Sequence, residues 1–385
     1  MKNRVGIIGG GPAGCFCACN LKGNVTVFEK NEPLKTLLYT GGGRCNLAHA
    51  VFDFKELARN YPRGEKFLYS VLSKFSTQDT LDFFKTLGIE TYTQDDNRIF
   101  PVSDSAKTVR DALLKKVRQN NIKFVRQEVY KIEKCHGVFI INDEYEFDKV
   151  VISTGGHAGY EIIKRFGHTI IEPKPALTGL ISTEKFPFEG VSLKNIDIKI
   201  LNNNRFLNGD LVFTKNGISG PAAFIISSIF AREDYSIKNP IKLELNFHAD
   251  NMIDLLNKNG KKDVKNLISD YVPKVIAEYI CKTINTENKK CYEINKEKRQ
   301  LIEKYLNRFP VTVSGYEKHG EIVTSGGVAL KDINSKTMES KRVEGLYFCG
   351  EVMDIDGFCG GFNLQNAWST AYVCAVSLNS CYNSD

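Results

Sequence analysis

Val5-Gly6-Ile7-Ile8-Gly9-Gly10-Gly11-Pro12-Ala13-Gly14 is a short apolar strand that runs directly into the glycine spacing G-x-G-x-x-G. A second apolar run, Val25-Thr26-Val27-Phe28, ends in Glu29, twenty residues after Gly9. A dinucleotide-binding unit typically consists of a strand, this glycine spacing, the start of a helix and an acidic residue in this register. The stretch therefore predicts a Rossmann-like α/β fold that holds a dinucleotide near the start of the chain.

Each glycine of this pattern has its own role in binding a dinucleotide. Gly9 allows the tight turn that leaves the strand, Gly11 lets the backbone approach a pyrophosphate, and Gly14 lets the following helix pack on the strand. The helix that begins near Pro12 aims N–H groups at the phosphates, with roughly half a positive charge at its N-terminus. We therefore predict that Gly9, Gly11, Pro12, Ala13 and Gly14 bind the cofactor.

Glu29 is predicted to accept hydrogen bonds from the ribose diol of an adenosine, and we also assign the adjacent Lys30 to the cofactor. A 2′-phosphate about 4 Å from this carboxylate would be repelled by roughly 4 kcal/mol at an effective dielectric constant near 20. The pocket should therefore reject NADP, which leaves FAD and NAD as the candidates.

The composition bounds the class of protein. At 385 residues the chain exceeds one simple core, so two or three domains are expected, and 42% hydrophobic and 25% charged residues are ordinary for a globular protein. No apolar stretch approaches the ~20 residues that span a bilayer, and the sequence enters a strand without an apolar leader. We therefore expect a cytoplasmic protein with no membrane partner.

The cysteines and histidines predict neither a disulfide framework nor a metal site. Eleven cysteines are an odd number, which favours reduced thiols in a chain without a leader. Cys15 and Cys19 share one face of the first helix and are interpreted as packing residues, because no CxxC or histidine partner accompanies them. The six histidines show no metal-ligand spacing, so we predict no metal.

The formal charge of +7 is unevenly distributed. Residues 251–310 contain 13 lysines and arginines against 8 acidic residues, and much of this excess lies in Lys289-Lys290 and Lys296-Glu297-Lys298-Arg299. Such a segment is either a solvated helical face or a site for nucleic acid or another polyanion. A contact with RNA through this basic helical segment is therefore one of our hypotheses.

A second glycine-rich segment lies near the end of the chain. The strand-like run Gly345-Leu346-Tyr347-Phe348-Cys349 ends at Gly350-Glu351, and Gly360-Gly361 then precede a helical pattern that begins at Phe362-Asn363. A helix N-terminus there could face the flavin N1 and O2 atoms, where negative charge builds up on reduction. Two glycine-to-helix termini at opposite ends of one chain indicate one long ligand, which favours FAD over NAD.

The pattern changes along the chain in a way that predicts three domains. From about Pro173 the sequence consists of short β-rich runs such as residues 177–182, residues 251–307 read as short lysine-rich helices, and strand patterns then return. We predict an FAD-binding domain from residues 1–173 and 320–385, an inserted β-barrel domain from 174–250 and 308–319, and a small helical domain from 251–307.

The chain resembles a known family in four segments: Thr40-Gly41-Gly42-Gly43-Arg44-Cys45-Asn46; Leu211-Val212-Phe213-Thr214 with Gly217-Ile218-Ser219-Gly220-Pro221; Thr324-Ser325-Gly326-Gly327-Val328; and Gly350-Glu351 with Gly360-Gly361-Phe362-Asn363. In these motifs it is similar to the BaiN-like, aminoacetone-oxidase-like family of FAD-dependent oxidoreductases. The resemblance spans essentially the whole chain. It implies an FAD domain built from both chain ends, an inserted β-barrel and a small helical subdomain.

The resemblance also implies functional residues. It places Arg44 and Asn46 beside the flavin and makes Glu351 a partner of the ribityl hydroxyls, while Cys45 is either a proton donor or a small buried residue. Arg44, Cys45 and Asn46 are the candidate catalytic residues. The further predicted contacts of the cofactor are Gly43, Arg44, Cys45, Asn46, Val129, Thr154, Gly155, Gly350, Glu351, Gly360, Gly361, Phe362 and Asn363.

Two features depart from the family pattern. His157-Ala158-Gly159-Tyr160 passes straight into a helical pattern where relatives carry a longer loop, so a pocket wall or cofactor contact from that loop is in doubt. Cys359 stands where a threonine is more typical. Asp354 and Asp356 flank the second glycine turn and either bind hydroxyl groups or cap the turn.

These features predict an FAD-dependent oxidoreductase that exchanges a hydride between flavin N5 and a conjugated C=C or C–N substrate. The resemblance and the basic segment favour a ribosomal-RNA uridine reductase that forms dihydrouridine. The sequence contains one complete dinucleotide fingerprint, so NAD(P)H is expected to be a transient electron donor. The alternatives are a small-molecule oxidase or reductase acting on an amino ketone or an enone, and a non-catalytic flavin-binding redox sensor.

Overall fold

The computed structural model describes residues 4–317 and 323–382. The chain forms two compact units, the first from Met1–Pro175 with Val323–Asp385 and the second from Ala176–Ile322. The predicted boundary at residues 319 and 320, and His319, to which the sequence assigns no role, lie outside the described residues. The predicted division into three domains stays a prediction.

The strands are numbered in chain order: β1 Arg4–Ile8, β2 Asn24–Phe28, β3 Ala48–His49, β4 Thr91–Thr93, β5 Arg98–Pro101, β6 Lys123–Val125, β7 Ile132–Cys135, β8 Val138–Ile141, β9 Tyr145–Phe147, β10 Lys149–Ile152, β11 Ile170–Ala176, β12 Leu180–Ser182, β13 Ser192–Ile200, β14 Arg205–Thr214, β15 Gly217–Ser219, β16 Ile241–Asn246, β17 Phe309–Tyr316, β18 Val323–Val328 and β19 Leu346–Phe348.

The α-helices are α1 Pro12–Asn20, α2 Phe54–Ala58, α3 Glu65–Leu72, α4 Thr77–Thr86, α5 Ala106–Gln119, α6 Tyr160–Arg165, α7 Pro221–Phe230, α8 Met252–Lys258, α9 Val264–Ile268, α10 Lys274–Thr283, α11 Lys296–Asn307 and α12 Phe362–Tyr382. Short 3₁₀ turns occur at Thr36–Gly43, Cys291–Glu293, Leu330–Asp332 and Gly350–Val352. No helix in residues 4–317 and 323–382 has both the length and the apolar character needed to cross a bilayer.

The first unit is built on a parallel sheet with the strand order β19-β10-β1-β2-β6. The last residues of three neighbouring strands are in register, because Ile8 pairs with Phe28 on one side and with Ile152 on the other. Strand β19 comes from the end of the chain and pairs in parallel with β10. Both chain ends therefore build one sheet, and the strand order reverses direction between β1 and β10, where α/β folds bind their ligands.

Helices α1 and α12 pack beside this sheet around a buried aromatic cluster. Trp368 is fully buried, lies 5.1 Å from the Phe16 ring, and donates its indole N–H to the Leu47 carbonyl at 3.0 Å. The small side chains of Cys15 and Cys19 are also buried in this cluster. The interpretation of these cysteines as packing residues is consistent with that burial, since small side chains allow close helix packing.

The second unit contains a closed barrel with the strand order β12-β15-β14-β13-β16-β17. Alternate residues of β13, such as Ile196, Ile198 and Ile200, point into a core that continues without a break into the helices α8 to α11. The predicted α/β fold with an inserted β-barrel is confirmed. The predicted strand over residues 177–182 begins only at Leu180, because Leu177 has a left-handed φ of 51° that interrupts an extended strand.

Candidate functional site

The loop between β1 and α1 has the close packing that its glycines predict. Gly9 has a φ of 103°, and a Cβ there would lie 2.4 Å from the Ser153 carbonyl oxygen. A Cβ on Gly14 would lie 2.0 Å from the Gly9 carbonyl oxygen. Neither position tolerates a side chain. Gly9 lies against the residue that follows β10, and Gly14 of α1 lies against the residue that follows β1.

Gly11 differs from these two glycines in a way that points to a ligand. It has ordinary dihedral angles, with φ at −76°, and an added Cβ would meet no atom of the chain within 4 Å. The first bond inside the helix joins Cys15 N–H to the Gly11 carbonyl, so the N–H groups of Ala13 and Gly14 lie ahead of it in the first turn. A bare backbone beside a helix N-terminus fits a pyrophosphate.

Glu29 follows the last residue of β2 and lies against this loop. Its Oε2 accepts a hydrogen bond from Gly10 N–H at 2.8 Å, and its Oε1 accepts one from Asn31 N–H at 2.8 Å. These bonds hold the carboxylate where an adenosine ribose would lie in a Rossmann fold. Lys30, also predicted to contact the cofactor, forms an exposed salt bridge with Glu128 at 2.9 Å.

The 3₁₀ turn at Gly350–Val352 meets the first helix. A Cβ on Gly350 would lie 2.6 Å from the Cβ of Ala13. The next residue, Glu351, accepts a hydrogen bond from Thr324 N–H at 2.8 Å, and its Oε2 is 3.8 Å from where a Cβ on Gly155 would lie. The structure thus brings the predicted residues Ala13, Gly155, Gly350 and Glu351 together from distant parts of the chain.

A cavity of about 380 Å³ lies at the start of α6, and Val129, His157 and Tyr160 are among its lining residues. The Thr154 hydroxyl donates to the Ala158 carbonyl at 2.7 Å and so closes the short loop that departs from the family pattern. Burial raises the pKa of Tyr160, and its hydroxyl has no hydrogen-bond partner among the described residues. Tyr160 is therefore a candidate ligand contact that the sequence analysis missed.

The segment Thr40–Asn46 forms a tight loop around Cys45, which has a φ of 65° and is fully buried. Burial raises the pKa of this thiol to about 12, so it stays protonated at neutral pH. Its burial favours the interpretation of Cys45 as a packing residue over that as a proton donor. The Arg44 guanidinium lies 4.0 Å above the Phe100 ring and 3.9 Å from the Asp104 carboxylate.

Asn46 connects this loop to the second glycine turn. A Cβ on Gly361 would lie 2.9 Å from Asn46 Oδ1, and this buried oxygen has no hydrogen-bond partner among the described residues. A buried carbonyl oxygen without a donor is costly, which makes it a candidate acceptor for a ligand N–H or O–H. The side chain of Asn363 is already used, because it accepts from Gly357 N–H and donates to the Gly357 carbonyl, both at 2.8 Å.

His49 is a second residue that the sequence analysis did not assign. Its Nδ1 lies 3.0 Å from the Gly360 carbonyl oxygen, and its ring stacks on Phe362 with 4.6 Å between the ring centres. Burial lowers the pKa of His49, so the ring is neutral near pH 7 and Nδ1–H can donate to that carbonyl. His49 therefore positions the glycine pair before α12. The sequence signal that could have identified His49 is its position three residues after Asn46, at the end of the glycine loop.

Asp356 lies in the loop before α12 and has a charged partner. It is fully buried and forms an ion pair with Arg63 from another part of the first unit. A buried carboxylate needs such a partner, so this pair ties the loop before α12 to the segment before α3. In the described part of the chain, no three or more His, Cys, Asp or Glu side chains come together in an arrangement that could hold a metal ion.

Residues 3–377 match the family described as the HI0933-like protein Rossmann domain. The chain belongs to the HI0933-like family. This confirms the resemblance stated from the motifs, and this HI0933-like protein is an FAD-dependent oxidoreductase, as predicted. The two glycine turns, Glu29 and the Asn46 oxygen without a hydrogen-bond partner fit FAD.

Two curated relatives match over nearly their whole length. The ribosomal RNA dihydrouridine synthase of Haemophilus influenzae is 30% identical over 400 residues, which cover 97% of this chain and 98% of that protein. The 3-dehydro-bile acid delta(4,6)-reductase of Clostridium scindens is 30% identical over 408 residues, which cover 96% and 98% of the two chains.

A solved structure supports the fold alone. The open conformation of a flavocytochrome c3 fumarate reductase superimposes with a TM-score of 0.53 at 14% sequence identity. The superposition covers 98% of this HI0933-like chain and 78% of the fumarate reductase chain.

Proposed function

We propose that this HI0933-like protein reduces a uridine of ribosomal RNA to dihydrouridine, with FAD as the bound cofactor and NAD(P)H as the transient electron donor. The observation that carries the proposal is the match to the Haemophilus influenzae dihydrouridine synthase over nearly the full length of both proteins. The alignment covers 97% of this chain and 98% of that protein. The net charge of +7 is consistent with a polyanionic substrate.

The proposed cofactor contacts divide along the length of FAD. The N-terminal loop of Gly9, Gly11 and Gly14 with α1 would hold the pyrophosphate, and Glu29 would hold the adenosine ribose. Glu351 would hold the ribityl chain, and the N-terminus of α12 would face the flavin ring. Bound FAD supplies hydride transfer at N5.

The names of the two curated relatives describe one kind of chemistry. Dihydrouridine is uridine with its C5=C6 bond reduced, and a Δ4,6-reductase of a 3-keto compound also reduces C=C bonds conjugated to a carbonyl. Conjugate reduction places a hydride on the carbon β to the carbonyl and a proton on the α carbon. Residues that bind and polarise the carbonyl oxygen therefore assist it, and Arg44 is the cationic side chain available for this in the loop Thr40–Asn46.

The test is complementation in Escherichia coli, whose own ribosomal RNA dihydrouridine synthase is 28% identical to this chain. A strain without that enzyme should regain dihydrouridine in its ribosomal RNA when it expresses this chain, as measured by nucleoside mass spectrometry. The purified protein should also oxidise NAD(P)H in proportion to dihydrouridine formed on ribosomal RNA from that strain. Absence of dihydrouridine in both experiments would contradict the proposal.

A small-molecule enone reductase is the second candidate, and the bile acid reductase relative favours it with the same identity of 30%. The same preparation should then consume NAD(P)H stoichiometrically with a steroid Δ4-3-ketone. Turnover of that ketone without any activity on RNA would favour this candidate over the uridine reductase.

A further inference from the structure

Several cations of the basic helical segment, the sequence-based candidate for an RNA contact, form bonds within the chain. Lys290 pairs with Asp263 at 2.9 Å, Lys298 Nζ donates to the Asn285 carbonyl at 2.8 Å, and Arg299 donates to Asn257 and to the Cys291 carbonyl. These cations support the fold of the helices α8 to α11. They are therefore poorly placed to exchange partners with phosphate groups.

A different surface of the same unit carries basic side chains around an exposed aromatic ring. Phe206 in β14 is 71% exposed, and Lys199 of the paired strand β13 places its Nζ 5.4 Å from the ring centre. Lys199 and Phe206 lie directly opposite each other on the outer face of the barrel, whereas Arg205 is paired with the buried Ile200 and is exposed at the start of β14, beside the hairpin tip. Phe206 is among the most exposed aromatic side chains of the described residues, and a candidate interaction site needs further exposed apolar or charged groups around it.

The hairpin tip is held beside the loop before β16, which adds to this surface. Asn202 Oδ1 accepts a hydrogen bond from Lys242 N–H at 2.8 Å, and Asn202 Nδ2 donates to the Pro240 carbonyl at 3.1 Å. The loop presents Ile237, which is 78% exposed, and the adjacent Lys238. We name this region the hairpin surface, which consists of Lys199, Arg205, Phe206, Ile237, Lys238 and Lys242.

The hairpin surface carries an excess of positive charge. Residues 199–206 and 236–244 contain four basic side chains and one acidic side chain, Glu244, which lies across from Lys199. None of the four cations forms a salt bridge with any described residue, in contrast to Lys290 of the helical segment. Unpaired cations around an aromatic face are the combination that binds single-stranded nucleic acid, since bases stack on the ring and phosphates meet the cations.

We propose that the hairpin surface binds single-stranded RNA, with a base stacked on Phe206 and phosphates at Lys199, Arg205, Lys238 and Lys242. This inference rests on the proposed function, because it identifies where the full chain would hold its RNA substrate. The surface lies in the second unit, whereas all the proposed cofactor contacts lie in the first. Changes at the hairpin surface should therefore leave flavin content unaltered.

The test measures binding of a fluorescently labelled, uridine-rich single-stranded RNA of about twelve nucleotides to the full-length flavoprotein by anisotropy. Phe206→Ala should weaken binding about tenfold, the effect of one lost base stack. Tyr292→Ala is the matched control, because Tyr292 is a 68% exposed aromatic side chain of the same unit outside the hairpin surface, and it should leave affinity unchanged.

The salt dependence tests the phosphate contacts separately. The double variant Lys238→Ala with Lys242→Ala should reduce the slope of log Kd against log salt concentration by about 1.4, or about 0.7 for each lost contact with a single strand. Lys289→Ala with Lys296→Ala removes two cations of the helical segment and should leave the slope unchanged. Flavin absorbance and melting temperature of every variant check that it is folded.

Three results would overturn the proposal: wild-type affinity in Phe206→Ala, a loss of binding that follows Lys289 and Lys296 instead, or a change of oligomeric state in Phe206→Ala by sedimentation, which would assign the surface to a second copy. The complementation assay separates this failure from that of the proposed function. If the wild-type chain forms dihydrouridine and the Phe206→Ala variant binds RNA with wild-type affinity, the proposed RNA site on the hairpin surface is wrong and the proposed function stands.

Discussion

At the scale of single residues, Glu29 offers a direct test of the adenosine end of the site. Its two carboxylate oxygens accept Gly10 N–H and Asn31 N–H, both at 2.8 Å, so Glu29→Gln keeps an acceptor for one of these groups and removes the negative charge. Because hydrogen bonds to a charged group are about twice as strong as neutral ones, we expect FAD to bind the apoprotein roughly tenfold more weakly. Flavin fluorescence titration measures this. The exposed Glu133→Gln serves as control, and equal affinities in both variants would exclude a ribose contact.

His168 predicts how stability depends on pH. Ser340 Oγ accepts N–H bonds from Arg342 and Val343 at 2.9 Å each, so its own proton goes to His168 Nε2 at 2.7 Å. His168 must then be neutral, with Nδ1–H donating to the Ile163 carbonyl, and burial lowers its pKa below the ordinary 6.5. The unfolded chain therefore takes up a proton below about pH 6.5 that the folded protein does not, and stability falls as pH falls through that window.

The measurement for His168 is the melting temperature between about pH 7.5 and pH 5.5, the range around the ordinary histidine pKa. His168→Gln should be less stable at neutral pH but should lose less on acidification than the wild type. The exposed His136→Asn should follow the wild-type curve. Parallel curves for all three proteins would show that His168 does not contribute to the acid sensitivity.

Local patterns made some site residues predictable and left others hidden. The turn at Gly9, the close packing at Gly14 and the position of Glu29 beside this loop could be predicted, because a strand, a turn and a helix within 25 residues determine them. The Arg63–Asp356 pair could not, since it joins residues 293 positions apart that carry no shared motif. His49, close to the glycine loop in sequence, was missed because its function depends on contacts with Gly360 and Phe362 near the other end of the chain.

At the scale of elements, the helix α1 and its glycine loop separate packing from ligand binding. Gly14→Ala would place a Cβ 2.0 Å from the Gly9 carbonyl oxygen, so the strand and the helix must move apart and the apoprotein should melt at a clearly lower temperature. Gly11→Ala meets nothing within 4 Å and keeps ordinary dihedral angles, so the apoprotein should keep its stability to within about 1 kcal/mol.

The prediction for Gly11→Ala is that FAD affinity falls at least tenfold, because its methyl group would occupy the face of the loop assigned to the pyrophosphate. Thermal melts of the apoproteins and titration with FAD measure the two effects independently. A Gly11→Ala variant that binds FAD as tightly as the wild type would show that the open face beside Gly11 is not the pyrophosphate site.

The ends of helices and strands were predictable where a residue such as proline gives a local signal for the boundary. Helix α7 begins at Pro221, directly after Ser219-Gly220, and a proline at this place is a local signal because it suits the first turn of a helix. Residues 129–133 include Val129, Tyr130 and Ile132, residue types that favour a strand, but β7 begins at Ile132 and ends at Cys135, so Val129 lies in the preceding loop. Asn142 holds this loop, because its Oδ1 accepts hydrogen bonds from the N–H groups of Tyr130 and Lys131. The alternation of apolar residues in the sequence does not reveal this contact.

At the scale of the whole molecule, the meeting of the chain ends was predictable because two glycine turns indicated one long cofactor. The strand order of the barrel was not, because closure depends on pairs such as Leu180 with Tyr316, which no local pattern encodes. Each unit has its own buried cluster, one around Trp368 and the other around Phe213 and Phe309. Such units are expected to unfold separately.

Calorimetry of the apoprotein should therefore show two transitions, and FAD should shift only one of them. All the proposed contacts, from Gly9 to Asn363, belong to the first unit, so FAD at 100 times its Kd should stabilise that unit by about 2.7 kcal/mol, or roughly 5 to 10 °C. FMN lacks the adenosine that Glu29 and the glycine loop would bind, and it should shift the same transition by less. If both transitions moved equally with FAD, the cofactor would contact or couple both units, and the assignment of its entire site to the first unit would be wrong.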